Sequence, residues 1–401
     1  MAVLTGTTGN DNLAGTGEAD TIYGLAGNDT IADGDQADLV FLGAGNDVFN
    51  GTDDQYSDTI LGGAGNESIT LTATTAFGIN GGGDIVYAGD GNDTIDAASS
   101  ALDNVLGAGD GADSIVTGTG ADTVYGGGSG DVIDATASGK DLVFAADGSD
   151  TITAGDGDTI YGGMGGDTIT GGSSIFGGDG DDSLTAGTGI KAVLGGGAGD
   201  DTITGDSGDD TIYGGTGNDQ ITGAGGSDAI YGGAGVDSIT VTDGDTVFGG
   251  ADADSINATG ATGGAIVYSG DGSDSIGSGG SGEFGLGAGD DTINFLTSDT
   301  VYGGEGSDSL IGGTSSNGSM LFGGAGDDNF NFQAFTNGDS VTIGDFTSGS
   351  DHLVLDTGDT ISSAMSGNDL ILSIDDGGGD TLTVTLEGVS SFSLTDDVTY
   401  V

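Results

Sequence analysis

GDSGDDTIY GGTGNDQIT GAGGSDAIY GGAGVDSIT: residues 205–240 are four nonapeptides in unbroken register. Each places Gly at position 4, Asp at position 6 (Asp210, Asp219, Asp228, Asp237) and Ile at position 8 (Ile212, Ile221, Ile230, Ile239). Gly lets a tight turn adopt positive φ and lets backbones approach closely. The three residues after each Asp read as a short strand whose middle residue points inward. One such unit buries almost nothing by itself, so the repeat implies stacking, which makes a thin core continuous.

Most of the chain is a looser copy of these lines. Nonapeptides start at residues 6, 15, 24, 33 and 42, and well-formed ones recur at 62–70, 88–96, 126–134, 162–170, 177–185, 214–222, 249–257, 303–311 and 323–331. The well-formed turns are mostly two nonapeptides apart, so one coil holds two turns and two strands. The well-formed edge is called side A and the other side B. The expected fold class is all-β: a parallel β-roll (β-solenoid) of about seventeen two-strand coils. The register ends near Asn331. Residues 332–401 carry less Gly and alternate at 340–345, 352–355, 370–374 and 381–386, which reads as a small antiparallel β cap. The organisation is thus 1–331 for the roll and 332–401 for the cap. Segments 71–83, 97–101, 258–264 and 312–318 read as loops at one edge.

The 401 residues include 91 Gly and 65 acidic side chains, but only two Lys (Lys140, Lys191), with no Arg, Pro or Cys; the net charge is −63. Self-repulsion on this scale opposes compaction without counterions. It also argues against nucleic acid and anionic lipid as partners. No apolar run is long enough to insert in a membrane, and MAVLTGTTGN has neither the basic nor the apolar part of a conventional cleaved leader. Proline would remove a ladder hydrogen bond from a stacked strand, so its absence fits continuous backbone pairing.

The recurring G-G-x-G-x-D-x-U-x pattern resembles the RTX (hemolysin-type) calcium-binding repeat. The resemblance implies Ca2+, many ions, held between the turns of consecutive coils by position-6 carboxylates and turn carbonyls. Carried over residue by residue, the side-A row is Asp29, Asp47, Glu67, Asp93, Asp113, Asp131, Asp150, Asp167, Asp182, Asp201, Asp219, Asp237, Asp254, Asp274, Asp291, Asp308 and Asp328. On side B the motif persists at Asp11, Asp20, Asp122, Asp210 and Asp228. Lys191 falls where an Asp is expected, and there its ammonium either replaces an ion or points to solvent. The expectation is one nearly complete ion column and one patchy one. The segment VTIGDFTSGSDHLVL (341–355) and the ending DDVTYV are similar to C-terminal regions of RTX proteins that leave the cell by type I secretion.

Position 9 separates the two strands of a coil. After side-B turns it reads Tyr23, Phe41, Leu61, Tyr87, Leu106, Tyr125, Phe144, Tyr161, Phe176, Leu194, Tyr213, Tyr231, Phe248, Tyr268, Tyr302 and Phe322; after side-A turns it is mostly Thr, Asn or Asp. If position 8 points inward, position 9 points outward. The aromatic row is then either cross-strand stacking within the sheet or an exposed stripe used in assembly.

No catalytic constellation stands out. His352 is the only histidine, and carboxylate pairs are too common here to discriminate. The chain therefore reads as a non-enzymatic, secreted, calcium-folded structural protein of the surface-layer type. It would self-associate into a lattice or filament at the cell surface or in an extracellular matrix, with a cell-surface polysaccharide as a possible contact. The alternatives are an adhesin or glycan-binding module, an ice-binding roll, or a polysaccharide-acting enzyme on a β-solenoid.

Overall fold

A computed structural model describes residues 1–51, 56–73 and 83–401. The chain forms two compact units, Met1–Thr202 and Ile203–Val401, and both are built by one rule. A six-residue strand alternates with one of three or four residues. In the first unit Thr21–Ala26 precedes Thr30–Ala32, and in the second Thr246–Ala251 precedes Ser255–Ala258. Long strands pair with long and short with short, in parallel and one coil apart. Tyr125 thus aligns with Phe144 and Phe144 with Tyr161, while Ile221 aligns with Ile239 and Ile239 with Ile256. Each unit is therefore a parallel β-solenoid with a long-strand sheet and a short-strand sheet.

The repeat explains the two strand lengths. Three residues follow the side-A Asp before the chain turns. After the side-B Asp the chain runs straight on through positions 1 to 3 of the next nonapeptide. The turn that follows is allowed by positive φ at Gly233 (121°) and Gly235 (119°). A Cβ on Gly233 would also collide with the carbonyl of Gly215 in the preceding coil. Inward positions form the core: Ile22, Val40 and Ile60 face Ile31, Phe49 and Ile69 in the first unit, all fully buried. In the second unit Ile212, Ile230 and Val247 do the same with Ile221, Ile239 and Ile256. Burying each such side chain contributes roughly 1.5–3 kcal/mol, so the core gains strength only by repetition.

Four expectations need correction. Leu106 and Leu194 are inward, fully buried and aligned with Val86 and Ile175. The outward places belong to Gly107 and Gly195, because a one-residue change of register moves every side chain to the opposite face. Lys191 is also one place off: Val193 aligns with Ser174, so Ala192 lies in the carboxylate row and Lys191 is exposed. Segment 97–101 is largely strand, since Thr94–Ser100 pairs with Ser68–Ala73 across an irregularity between Asp96 and Ser99. Of segment 71–83, residues 74–82 lie outside the described residues.

The C-terminal region is antiparallel only in part. Asp339–Ile343 and His352–Leu355 extend the two parallel sheets beyond Asn331, and Thr381–Leu386 and Val398–Tyr400 add a further layer. The antiparallel part is the ribbon Thr360–Ser366, Asp369–Asp375 and Thr381–Leu386.

Gly233→Val combines a β-branched side chain at positive φ with a clash against Gly215. It should lower the stability of the calcium-loaded protein by about 3 kcal/mol, whereas Ala234→Val, one residue on at an edge position, should be close to neutral. Thermal unfolding in calcium followed by circular dichroism measures both.

Candidate metal centre

Position 6 lies where each turn meets its strand, so stacking brings these carboxylates into columns. On side A, Oδ1 of the aspartates accepts the backbone N–H of the counterpart one coil earlier, Glu67 being the exception as an acceptor. Asp29 donates to Asp47 at 2.7 Å, Glu67 to Asp93 at 2.8 Å, Asp93 to Asp113 at 2.7 Å, and Asp113 to Asp131 at 2.9 Å. The chain of bonds continues through Asp150, Asp167, Asp182 and Asp201 at 2.7–2.8 Å. In the second unit it runs from Asp219 through Asp237, Asp254, Asp274, Asp291, Asp308 and Asp328 at 2.7–3.0 Å. All of these side chains are buried.

The second oxygen is left over. Oδ2 of Asp29, Asp47, Asp93, Asp113, Asp131, Asp150, Asp167 and Asp182 is buried and accepts no hydrogen bond. The same holds for Asp237, Asp254, Asp274, Asp291, Asp308 and Asp328, and for both carboxylate oxygens of Glu67. A buried carboxylate oxygen without a donor is strongly disfavoured. Its surroundings add a second acceptor. The space a Cβ on Gly249 would occupy is bounded by Asp254 Oδ2 at 2.6 Å and by the carbonyl oxygen of Ser269. Gly232 stands in the same way between Asp237 Oδ2 and the carbonyl of Gly249, and Gly162 between Asp167 Oδ2 and the carbonyl of Gly177. Strand pairing joins Tyr231 to Phe248 and resumes at Gly233 and Gly250, passing over Gly232 and Gly249. The position-1 glycine thus keeps open a cradle of convergent oxygens, which suits a hard cation that takes six to eight oxygen ligands. Among the described residues no three carboxylate or imidazole groups converge on one point. Turn carbonyls must therefore supply much of each coordination shell.

Side B also forms a column, and most of it is closed by protein donors. Asp20 Oδ2 accepts from Thr16 N at 2.8 Å and Thr16 Oγ1 at 2.7 Å. Asp11, expected on side B, instead heads the side-A column: it precedes a short strand, its N–H donates to Asp29 Oδ1 at 2.8 Å, and its Oδ2 accepts from Thr7 Oγ1 at 2.8 Å. Asp122 Oδ2 takes Gly118 N at 3.0 Å, and Asp210 Oδ2 takes Asp206 N at 2.9 Å. Asp228 differs: its Oδ2 is buried without a donor, as on side A. Sequence reading missed Asp38, Asp58, Asp84, Asp141, Asp158, Asp245 and Asp299, which belong to this column; Oδ2 of the last four is also occupied. The available signal was an Asp directly before each strand triplet, as in Asp158-Thr-Ile-Tyr, even where the glycines are lost.

Burial pushes several side-A carboxylates up from the ordinary 3.8. Asp131, Asp254 and Asp291 rise to about 7 and Asp167, Asp237 and Asp308 to about 6; after burial, neighbouring carboxylates of the row add to the rise. The N–H bond to Oδ1 opposes it without cancelling it. The cradles of these six aspartates, without metal, therefore attract either a proton or a cation.

The profile of the RTX calcium-binding nonapeptide repeat (4 copies) matches residues 5–32, 24–57, 52–72, 79–101, 107–138, 136–169, 158–174, 194–221, 204–239, 239–262 and 297–317, more than half of the chain. The chain belongs to the family of RTX calcium-binding repeat proteins. It is a calcium-binding β-roll whose repeats take up multiple Ca2+ ions, and proteins with these repeats are typically secreted. No curated protein matches the sequence. Among solved structures, one similar chain is a hyperactive, Ca2+-dependent, β-helical antifreeze protein from an Antarctic bacterium. It is 18% identical over 87% of this chain and 85% of that one, with a TM-score of 0.27. Another is the extracellular lipase LipA from Serratia marcescens, 17% identical over 66% of this chain and 45% of that one, with a TM-score of 0.15. At such scores neither carries an argument about function.

Two outcomes follow. Asp254→Asn keeps an acceptor for Asp237 N–H but removes charge from the cradle. It should reduce calcium stoichiometry by about one ion. Asp158→Asn should leave stoichiometry unchanged while costing about 1 kcal/mol for a weakened bond to Gly155. Isothermal titration calorimetry with bound-metal analysis separates the two. The pH dependence has a definite sign. Folded values above 3.8 give the metal-free fold a stability that is complete below about pH 3.8 and lost as pH rises through 6 to 7. Chelated protein should show more β-structure at pH 5 than at pH 7.5. The calcium concentration needed for folding should rise on acidification, because protons compete for Oδ2.

Proposed function

We propose that the chain is a secreted structural protein that folds on calcium outside the cell and self-associates into a surface layer or extracellular matrix. The observation that carries this reading is that most of the described residues of each unit are spent on the roll. Most side-A turns hold a buried carboxylate oxygen suited to a cation, and among the described residues no three carboxylate or imidazole groups converge to set another site apart. His352 lies in a strand of the roll, aligned with Asn329, which fits a structural rather than a catalytic role. At low calcium the net charge of −63 keeps the chain expanded, a form suited to a type I exporter. At higher calcium, binding free energy becomes folding free energy.

The glycan-binding alternative would use the aromatic row, and its geometry disfavours that use. The rings stack on one another at 4.9–5.3 Å with interplanar angles of 6–19° from Tyr213 through Tyr231 and Phe248 to Tyr268. Their faces are taken up within the ladder, whereas a sugar needs a free ring face. The ice-binding alternative has no structural observation in its favour beyond the polar short-strand face.

Chelator at neutral pH should abolish the β signal in circular dichroism, and calcium should restore it. Negative-stain microscopy of the calcium-loaded protein should then show sheets or filaments. A folded chain that stays dispersed at high concentration would sink the assembly reading while leaving calcium-driven folding intact.

A further inference from the structure

The long-strand sheet presents three outward rows in each unit, at strand positions one, three and five. In the second unit the first row holds Thr211, Ala229, Thr246 and Ile266, the second is the aromatic ladder, and the third is Gly215, Gly233, Gly250 and Gly270. Among the described residues of these rows, in either unit, Glu283 is the single acidic side chain. A chain with 65 carboxylates has thus kept these three rows almost free of them, its exposed acids on these strands, such as Asp271 and Glu305, being held to the last position at the turn edge. The face is also relieved: a ridge of ring edges runs beside a groove floored by glycine.

We propose that this face is where two copies of the chain meet, each aromatic ridge lying in the glycine groove of the other. The inference rests on the self-association reading and names the surface that performs it. A second copy is the occupant the geometry favours. A two-fold axis along the ladder exchanges ridge and groove, so the face is self-complementary in the way an isologous interface requires. Both partners have the same strand spacing, so every ring finds an equivalent groove position along the unit. Charge points the same way, because this is where two strongly acidic copies can touch without opposing carboxylates. A cationic partner would be drawn to the acidic turn edges instead.

The area is adequate. Tyr213, Tyr231, Phe248, Tyr268 and Tyr302 remain 37–45% exposed. At roughly 200 Å² per aromatic side chain these five rings alone offer about 400 Å². A stable interface takes about 800 Å² per partner, and the flanking Thr and Gly rows of the same face supply the remainder. In the first unit the ladder drops to Gly107 between Tyr87 and Tyr125, leaving an apolar notch of about 200 Å³. An apolar cavity of about 150 Å³ holds a benzene ring, so the notch has room for a ring from the partner. The short-strand face offers no such gain, since its outward residues in the second unit are mostly Ser, Thr and Asn.

The test uses the full chain in millimolar calcium, followed by sedimentation velocity over a concentration series. Phe248→Gly lowers the ridge with a residue the chain itself places in that row at Gly285. Ala229→Glu with Thr246→Glu adds charge in the row that already holds Glu283. Each should raise the dimer dissociation constant about tenfold or more by loss of ring contact or by like-charge repulsion, with the calcium-induced dichroism unchanged. Thr240→Glu with Asn257→Glu, on the short-strand face, should leave association as it is. Folded face variants that associate like the parent would overturn the proposed interface and leave self-association standing. A parent chain that stays monomeric in calcium, or that gains mass only when a neutral polysaccharide is added, would overturn both.

Discussion

One bond sets the terms for the rest of the molecule. An aspartate in nearly every side-A turn accepts, through Oδ1, the N–H of the residue one coil earlier. This bond joins coils at the edge, fixes their register, and draws the carboxylate out of water. It also strands Oδ2 in a cradle of oxygens. A buried, unpaired carboxylate costs several kcal/mol, and the column repeats that cost at every rung. Hydrophobic burial in a core one side chain thick cannot offset it at neutral pH. The geometry that makes stacking specific therefore makes it conditional on a cation.

The two edges show what happens when the condition is lifted. On side B, turn donors such as Thr16, Gly118 and Gly155 reach Oδ2, so the carboxylate is satisfied within the protein. A turn closed in this way needs no fixed pattern of carbonyls around an ion. Side B accordingly tolerates Asn104 in its row, the lengthened turn after Ala258, and the Ser173 and Ala192 rungs. Regularity on side A and variety on side B share one cause: whether Oδ2 finds its partner in the ion or in the turn.

The repeat made the fold legible because position 8 and position 6 are constrained independently. The first must be aliphatic or aromatic to fill the core, and the second must reach the neighbouring coil. Where both signals are present, as from Asp210 to Asp237, strand, turn and register can be read directly. Near Leu106 and Lys191 the turns change length, and counting from the opposite edge then places each residue one step wrong. Only backbone pairing resolves that step. The state of Oδ2 was not legible either, since Asp122 and Asp131 look alike in sequence. The difference depends on whether a backbone N–H three or four residues before the Asp turns toward its carboxylate, as those of Gly155 and Gly118 do. Parallel continuation beyond Asn331 was hidden because its strands alternate like hairpin strands while pairing with the last coils.

Charge and apolar surface are segregated by the same periodicity. Position 6 sends carboxylates to the turn edges, and positions 7, 9 and 2 of the long strands build rows in which Glu283 is the single acidic side chain among the described residues. Exposed charges act over about one Debye length, roughly 8 Å at physiological ionic strength. A metal-free edge therefore repels any second copy before the neutral faces can touch. Cations bound in the edge cancel charge where it is densest and leave the aromatic ladder as an open apolar surface. On the proposed reading, folding and association would answer to one variable, because the ion that allows a coil to stack would also remove the field that keeps stacked coils of two chains apart.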